Sequence, residues 1–435
     1  MKFFPKALSL ATLLAVTGTA SAATEISFWH SMEGALGERV NEIVEGFNKS
    51  QSDYKVVATY KGNYGESMNA GIAAYRAGQS PDIIQVFEVG TATMMFSKGA
   101  IKPVQEMSEE AGNPIDPAKF VPGIAGYYSE ANGKLASMPF NSSTPVFYYN
   151  KDLFAKAGLD VNNPPKTYQE INEAAKKLKA AGAECGYTTS WPSWVLVENF
   201  GALHNVPFAS KNNGFGGLDA RVDLTQDAFV KNFEYLAQMA KDGTFTYAGR
   251  GDAANGLFSS GKCAMFTGSS GSRAGFMKNA KFEFGISKLP YNSDIVQKPQ
   301  NSVIGGASLW VFNKKSAETY KGVTAFFHYI SSTEVAAKWH QETGYVPVVK
   351  AAYEATKASG FYEKNPGTDV PFEQLNVETT DASRGVRLGF LPQIRDIQEG
   401  EMENLFAGKV SVKDALADMT KRDNELLERF ENSNK

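Results

Sequence analysis

Five short segments place polar donors beside small residues: Lys61-Gly62-Asn63-Tyr64, Phe87-Glu88-Val89-Gly90, Asn141-Ser142-Ser143-Thr144, Gly268-Ser269-Ser270-Gly271-Ser272 and Ile304-Gly305-Gly306-Ala307-Ser308. Glycine lets a ligand approach the backbone, and amide and hydroxyl donors suit an anion at a helix N-terminus. Any one of them alone reads more readily as a turn, so the information lies in their recurrence. Residues 268–272 are not a P-loop, because no Gly-Lys-Ser/Thr completes them. Arg395 follows Pro392, which favours the first turn of a helix. A cation there opposes the helix dipole by roughly 0.3–1 kcal/mol, and an anionic partner relieves the misfit. A salt bridge to Asp396 or a nearby acid relieves it just as well. Glu88 reads either as an acid in a helix's first turn or as an acceptor for ligand hydroxyls. Tyr64, Trp191, Trp194 and Tyr345 are aromatics that can wall a ligand, and Trp191 and Trp194 flank Pro192 in an expected loop.

Catalytic patterns are missing. No Gly-x-Ser-x-Gly elbow, nucleophile–base pair or metal-ligand spacing occurs, and His30, His204, His328 and His340 are scattered. No metal and no cofactor is expected. A carboxylate pair acting as a glycosidase leaves no signature at this level.

The elements that must position these segments follow from periodicity. Residues 25–29, 54–60 and 83–87 read as strands; residues 36–47, 64–77 and 90–98 read as helices. That βαβαβα order predicts a parallel sheet flanked by helices. The pattern restarts with a strand at 146–149 and a helix capped by Thr167 and Glu170, which spell a capping box. Strands at 186–189 and 262–267 and helices at 394–406 and 412–430 follow. Open α/β sheets take ligands beyond the carboxyl ends of their strands, where the donor segments lie.

The N-terminus reads as a secretory leader over residues 1–22: Lys2 and Lys6, an apolar run over 7–19, then Ala20-Ser21-Ala22. The apolar run falls short of the roughly 20 residues that span a bilayer. Loss of the leader removes two lysines and takes the net charge from −3 to about −5, which argues against nucleic acid as a partner. The remaining length fits two lobes, with no repeat and no low-complexity linker. Cys185 and Cys263 are the only cysteines, and an oxidising compartment permits either a disulfide or two buried thiols.

Several runs resemble the periplasmic glycerol-3-phosphate-binding proteins of bacterial ABC importers. They are Phe28-Trp29-His30-Ser31-Met32-Glu33-Gly34, Tyr60-Lys61-Gly62-Asn63-Tyr64, Phe140-Asn141-Ser142-Ser143-Thr144-Pro145, Thr343-Gly344-Tyr345-Val346-Pro347 and Pro392-Gln393-Ile394-Arg395, with residues 85–95 and 304–310. The run from Tyr149 to Phe154 through Pro164-Pro165-Lys166-Thr167 is shared more widely, by sugar-binding proteins of the maltose-binding type. The resemblance implies an α/β, two-lobed periplasmic binding protein fold, each lobe a mainly parallel sheet flanked by helices, closing on one ligand between the lobes. It implies an N-terminal lobe from residues 23–143 and 305–344 and a C-terminal lobe from 144–304 and 345–435. It implies ligand contacts at Tyr64, Glu88, Ser143, Trp191, Ser269, Gly306, Tyr345 and Arg395. In those roles Arg395, the serines and the Gly306 amide hold a phosphate, and Glu88 accepts from glycerol hydroxyls. The expected ligand is glycerol-3-phosphate or a diester such as glycerophosphocholine. The expected partner is a membrane permease, and the protein is expected to act as a monomer. A neutral oligosaccharide is the alternative ligand, and a secreted glycosidase or phosphodiesterase the alternative class. Pro192-Ser193 departs from the family's more glycine-like pattern.

Overall fold

The computed structural model describes residues 22–97 and 99–435. The expected leader lies almost wholly outside them. Among the described residues ten strands form two five-stranded sheets. The first contains β1 (Thr24–His30), β2 (Tyr54–Tyr60), β3 (Ile83–Phe87), β4 (Met138–Ser143) and β10 (Gly305–Val311), in the order β2-β1-β3-β10-β4. The second contains β5 (Pro145–Asn150), β6 (Cys185–Thr189), β7 (Phe245–Thr246), β8 (Cys263–Ser269) and β9 (Phe284–Ser287), in the order β7-β6-β8-β5-β9.

Alternation predicted the parallel pairs β1–β2 and β1–β3, which form in register. It did not predict β10, which enters between β3 and β4 and runs antiparallel to both. The second sheet is mixed in the same way: β6 pairs in parallel with β7 and β8, and β5 antiparallel with β8 and β9. Each lobe's sheet is therefore mixed where a mainly parallel one was expected. The strands responsible adjoin the passages between sheets. β4 ends at Ser143 in one sheet and β5 begins at Pro145 in the other, so Thr144 is the whole crossing. A strand entering from the opposite lobe has its direction set by that crossing, not by a preceding βαβ turn.

Local chemistry sets the element ends. Asn63 and Glu66 form a capping box on the helix Tyr64–Arg76, and Thr167 and Glu170 form one on Tyr168–Ala180. Helix Gly34–Ser50 buries Val40, Val44 and Phe47 at helical spacing. The expected helix over 90–98 is shorter, a 3₁₀ turn Glu88–Gly90 followed by Thr91–Met95, and Lys98 lies outside the described residues. Helices Leu391–Phe406 and Val412–Asn434 pack on one another and on Asp227–Lys241. Cys185 and Cys263 face each other on the parallel strands β6 and β8, with Cα atoms 4.3 Å apart, and are joined by a disulfide. Among the described residues no helix is long and apolar enough to cross a membrane.

Candidate functional site

A cleft of about 480 Å³ opens between the two sheets. All eight residues singled out in the sequence line it, from strand ends of both sheets and from one helix that packs across them.

On the first sheet, Gly62 turns the chain with φ +83° after β2 and delivers Tyr64 at the head of its helix. The Tyr64 ring stacks on Phe87 at 5.3 Å, and its hydroxyl accepts from the Asn141 amide at 2.9 Å. The Tyr345 hydroxyl adjoins the same group. Burial pushes both phenols above their ordinary range, so both stay protonated and able to donate. Ser143 ends β4, and Gly306 lies on the adjacent strand with φ +88°. A Cβ at Gly306 would collide with the carbonyl of Asn141, so only glycine fits there. Tyr345 follows Gly344, the left-handed cap of helix Thr333–Thr343, and stacks on Trp339.

On the second sheet, Ser269 ends β8, and its Oγ accepts from the Gly271 amide at 3.1 Å. A Cβ at Gly271 would stand 2.7 Å from the Tyr345 ring, so glycine leaves room for that ring. Trp191 follows β6 with φ +52°, a strained setting for a large residue, and sits 6.4 Å from the Tyr64 ring. Trp194 is nearly buried and donates from its indole to the Ile304 carbonyl at 3.3 Å, bracing a passage between the sheets.

Arg395 lies one turn into the helix Leu391–Phe406. The acid that satisfies it is not Asp396. Its Nε and Nη2 donate to the two Glu198 oxygens at 2.6 and 2.9 Å, and Nη2 also donates to Glu88 at 2.7 Å. The three side chains are 8%, 3% and 7% exposed. Among the described residues Nη1 has no partner, and Arg395 lines the cleft. Burial raises the Glu88 carboxyl, Arg395 lowers it, and Glu198 raises it again. The two carboxylates hold Arg395 charged against its own burial. Ser193, in the divergent Pro192-Ser193 pair, donates to the Arg395 carbonyl at 3.3 Å and so supports the same helix.

Glu198 was missed by sequence reasoning. It sits in a π-helical turn, Trp194–Asn199, a geometry frequent at functional sites. A signal existed: a lone acid inside the run Trp194-Val195-Leu196-Val197-Glu198-Asn199-Phe200 must find a buried partner. Asp252 and Glu33 also line the cleft, and burial raises the Asp252 carboxyl. Among the described residues no group of three potential metal ligands forms.

Two lobes, strand ends converging on a shared cleft and a crossing one residue long at Thr144 define a class of protein built to close around a small solute. Residues 42–369 match the family model of bacterial extracellular solute-binding proteins, and the chain belongs to that family. It is 51% identical over 431 residues to the sn-glycerol-3-phosphate-binding periplasmic protein UgpB of Escherichia coli K12, covering 99% of this chain and 98% of the relative. The UgpB of Salmonella typhimurium LT2 matches equally. The fold matches the crystal structure of UgpB from Mycobacterium tuberculosis in complex with glycerophosphocholine, with TM-score 0.78 and 24% identity over 94% of this chain and 99% of that one. It also matches maltose-bound T. maritima MalE3, with TM-score 0.76 and 16% identity over 94% and 100%. The protein is periplasmic.

Proposed function

We propose that the protein captures sn-glycerol-3-phosphate or a glycerophosphodiester such as glycerophosphocholine in the interlobe cleft and delivers it to the permease of an ABC importer, without chemical turnover. The convergence of Tyr64, Glu88, Ser143, Trp191, Ser269, Gly306, Tyr345 and Arg395 on one cleft carries this reading. The relatives named above support the choice of ligand. The lobes divide at 143/144 and 304/305 and again beyond Ala352, because Tyr345, Val346, Val348, Val349 and Ala352 pack in the core of the first sheet, and these crossings act as the hinge. Ligand touching both lobes stabilises the closed state through its differential affinity.

We assign the roles differently from the resemblance, on the charge of the site. Arg395 is shared by two carboxylates, so the Glu88–Arg395–Glu198 group carries no net positive charge. A phosphate placed on it would lie against Glu88. This group suits the glycerol end instead: Glu88 accepts from hydroxyls and Arg395 Nη1 donates to an oxygen. The phosphate then falls to donors that make no hydrogen bond to a carboxylate, namely the Ser143, Ser269, Tyr64 and Tyr345 hydroxyls and the Gly306 amide. Trp191 walls the cleft.

A thermal-shift panel tests the assignment. Glycerol-3-phosphate and glycerophosphocholine should raise Tm, maltose should not, and bound diester should be recovered intact. Stabilisation by the sugar alone, or hydrolysis of the diester, would overturn it.

A further inference from the structure

Arg273 opens the helix Arg273–Asn279, four residues beyond Ser269. Its side chain turns inward, and the residue is 7% exposed. Nη1 donates to the Gln341 carbonyl at 2.9 Å, Nη2 contacts Asn365 Oδ1 at 3.4 Å, and the guanidinium lies 5.9 Å from the Phe361 ring centre. Among the described residues it forms no salt bridge, whereas the equally buried Arg395 has two. The titratable groups around it are Tyr148 from β5, His340 from helix Thr333–Thr343, and beyond them Tyr345 and Tyr362. None carries charge at neutral pH: burial raises the phenols and lowers His340 to about 4. Arg273 is thus a buried cation with no counter-charge, an arrangement that costs stability unless an anion answers it.

The place where an anion would answer it is one layer away. Tyr148 donates to the carbonyls of Ser269 and Ser270 at 3.1 and 2.9 Å, pinning the turn that separates Arg273 from the cleft. A Cβ on Gly344, which precedes Tyr345, would stand 2.5 Å from the Ser270 carbonyl and 2.8 Å from Arg273 Cβ. Ser269 and Tyr345 line the cleft; Arg273 does not, but it adjoins the backbone next to both, at Ser270 and Gly344. We propose that Arg273 is an electrostatic positioning residue, which sets a positive potential at the Ser269–Tyr345 end of the cleft and selects a phosphate there without touching it. This rests on the phosphate binding at that end, as proposed above. Arg395 and Arg273 then divide the work: one recognises hydroxyls through a neutralised triad, and the other draws the anion.

The effect must scale with ligand charge. Glycerol-3-phosphate is a dianion at about pH 8 and largely a monoanion at about pH 5, since a phosphate monoester loses its second proton near pH 6. Calorimetry with glycerol-3-phosphate at both pH values should compare the wild type with Arg273→Gln and Asn365→Asp. The second variant places a carboxylate against the guanidinium and neutralises it in place, at the cost of the bond Asn365 Nδ2 donates to Phe361. Both should lose at least about tenfold in affinity at about pH 8: at an effective dielectric of about 20, two unit charges about 12 Å apart already amount to a tenfold factor, and a dianion doubles the interaction. At pH 5 both should lose clearly less. Equal losses at the two pH values, or none in Asn365→Asp, would overturn the proposal. If Arg273→Gln fails to fold, Asn365→Asp decides alone. A wild type that binds no glycerol-3-phosphate refutes the ligand assignment instead, so the two failures are distinguishable.

Discussion

Replacing Arg395 with glutamine tests the core of the cleft. The substitution removes three charge-assisted hydrogen bonds of 2.6–2.9 Å from a group under a tenth exposed and leaves Glu88 and Glu198 facing each other. Removing one partner of a buried pair costs about 3–5 kcal/mol, because the charge left behind has no solvent. One carboxyl can relieve this by taking up a proton, and Glu88 already leans that way. The loss should therefore be larger at about pH 8 than at about pH 5. Binding also loses the Nη1 donor. A charge-assisted bond contributes roughly 1.5–3 kcal/mol, so affinity should fall at least about tenfold. The double variant Glu198→Gln/Arg395→Gln separates the two effects: it removes one orphaned charge and should recover stability without recovering affinity. Urea melts report the first quantity and calorimetry the second. Unchanged affinity in folded Arg395→Gln protein would refute the role of Nη1. A double variant no more stable than the single one would refute the triad as the origin of the cost.

Gly306→Ala should weaken both folding and ligand binding, since φ is +88° and the new methyl meets the Asn141 carbonyl; a Tm equal to wild type would show that the strand can yield there. His30, His204 and His340 are buried and held neutral, each with a pKa lowered by burial from 6.5 to about 4. The unfolded chain binds more protons between those values, so stability should fall as pH drops from about 6.5 towards 4, by about 1.4 kcal/mol per unit for each group; a flat acid limb in calorimetric melts would contradict this. Asp423 is the alkaline counterpart. Burial pushes its carboxyl from 3.8 up to about 8, so the fold holds the neutral acid and loses stability as pH rises between those values. Asp423→Asn should melt higher than wild type at about pH 8, and an unchanged Tm there would count against a buried neutral acid. Cys185→Ser/Cys263→Ser opens a loop closed across 78 residues and should cost up to about 4 kcal/mol, read as a lower urea midpoint that reductant no longer shifts.

Much of the fold was legible because it depends on neighbours in sequence. Strands over 54–60 and 83–87, the capping box at Thr167/Glu170, and the donor-rich turns after β2, β3 and β8 follow from side-chain period and backbone chemistry within a few residues. The candidate site was legible to the same depth: strand ends carry donors, and a family resemblance selected eight residues among them. Arg395 showed only that it needs an anion.

Which anion was settled in three dimensions. Glu88 is 307 residues from Arg395 and Glu198 is 197, and no local pattern couples positions so far apart. The antiparallel entry of β10, the pairing of Cys185 with Cys263 and the lone charge of Arg273 near Ser269 share that origin. Sequence by itself determined the α/β elements, the donor character of the loops and the likeness to a glycerophosphate receptor. Only the tertiary structure decided how charge is distributed in the cleft, because burial and the approach of distant groups, not residue type, govern whether a buried charge is answered within the protein or by its ligand.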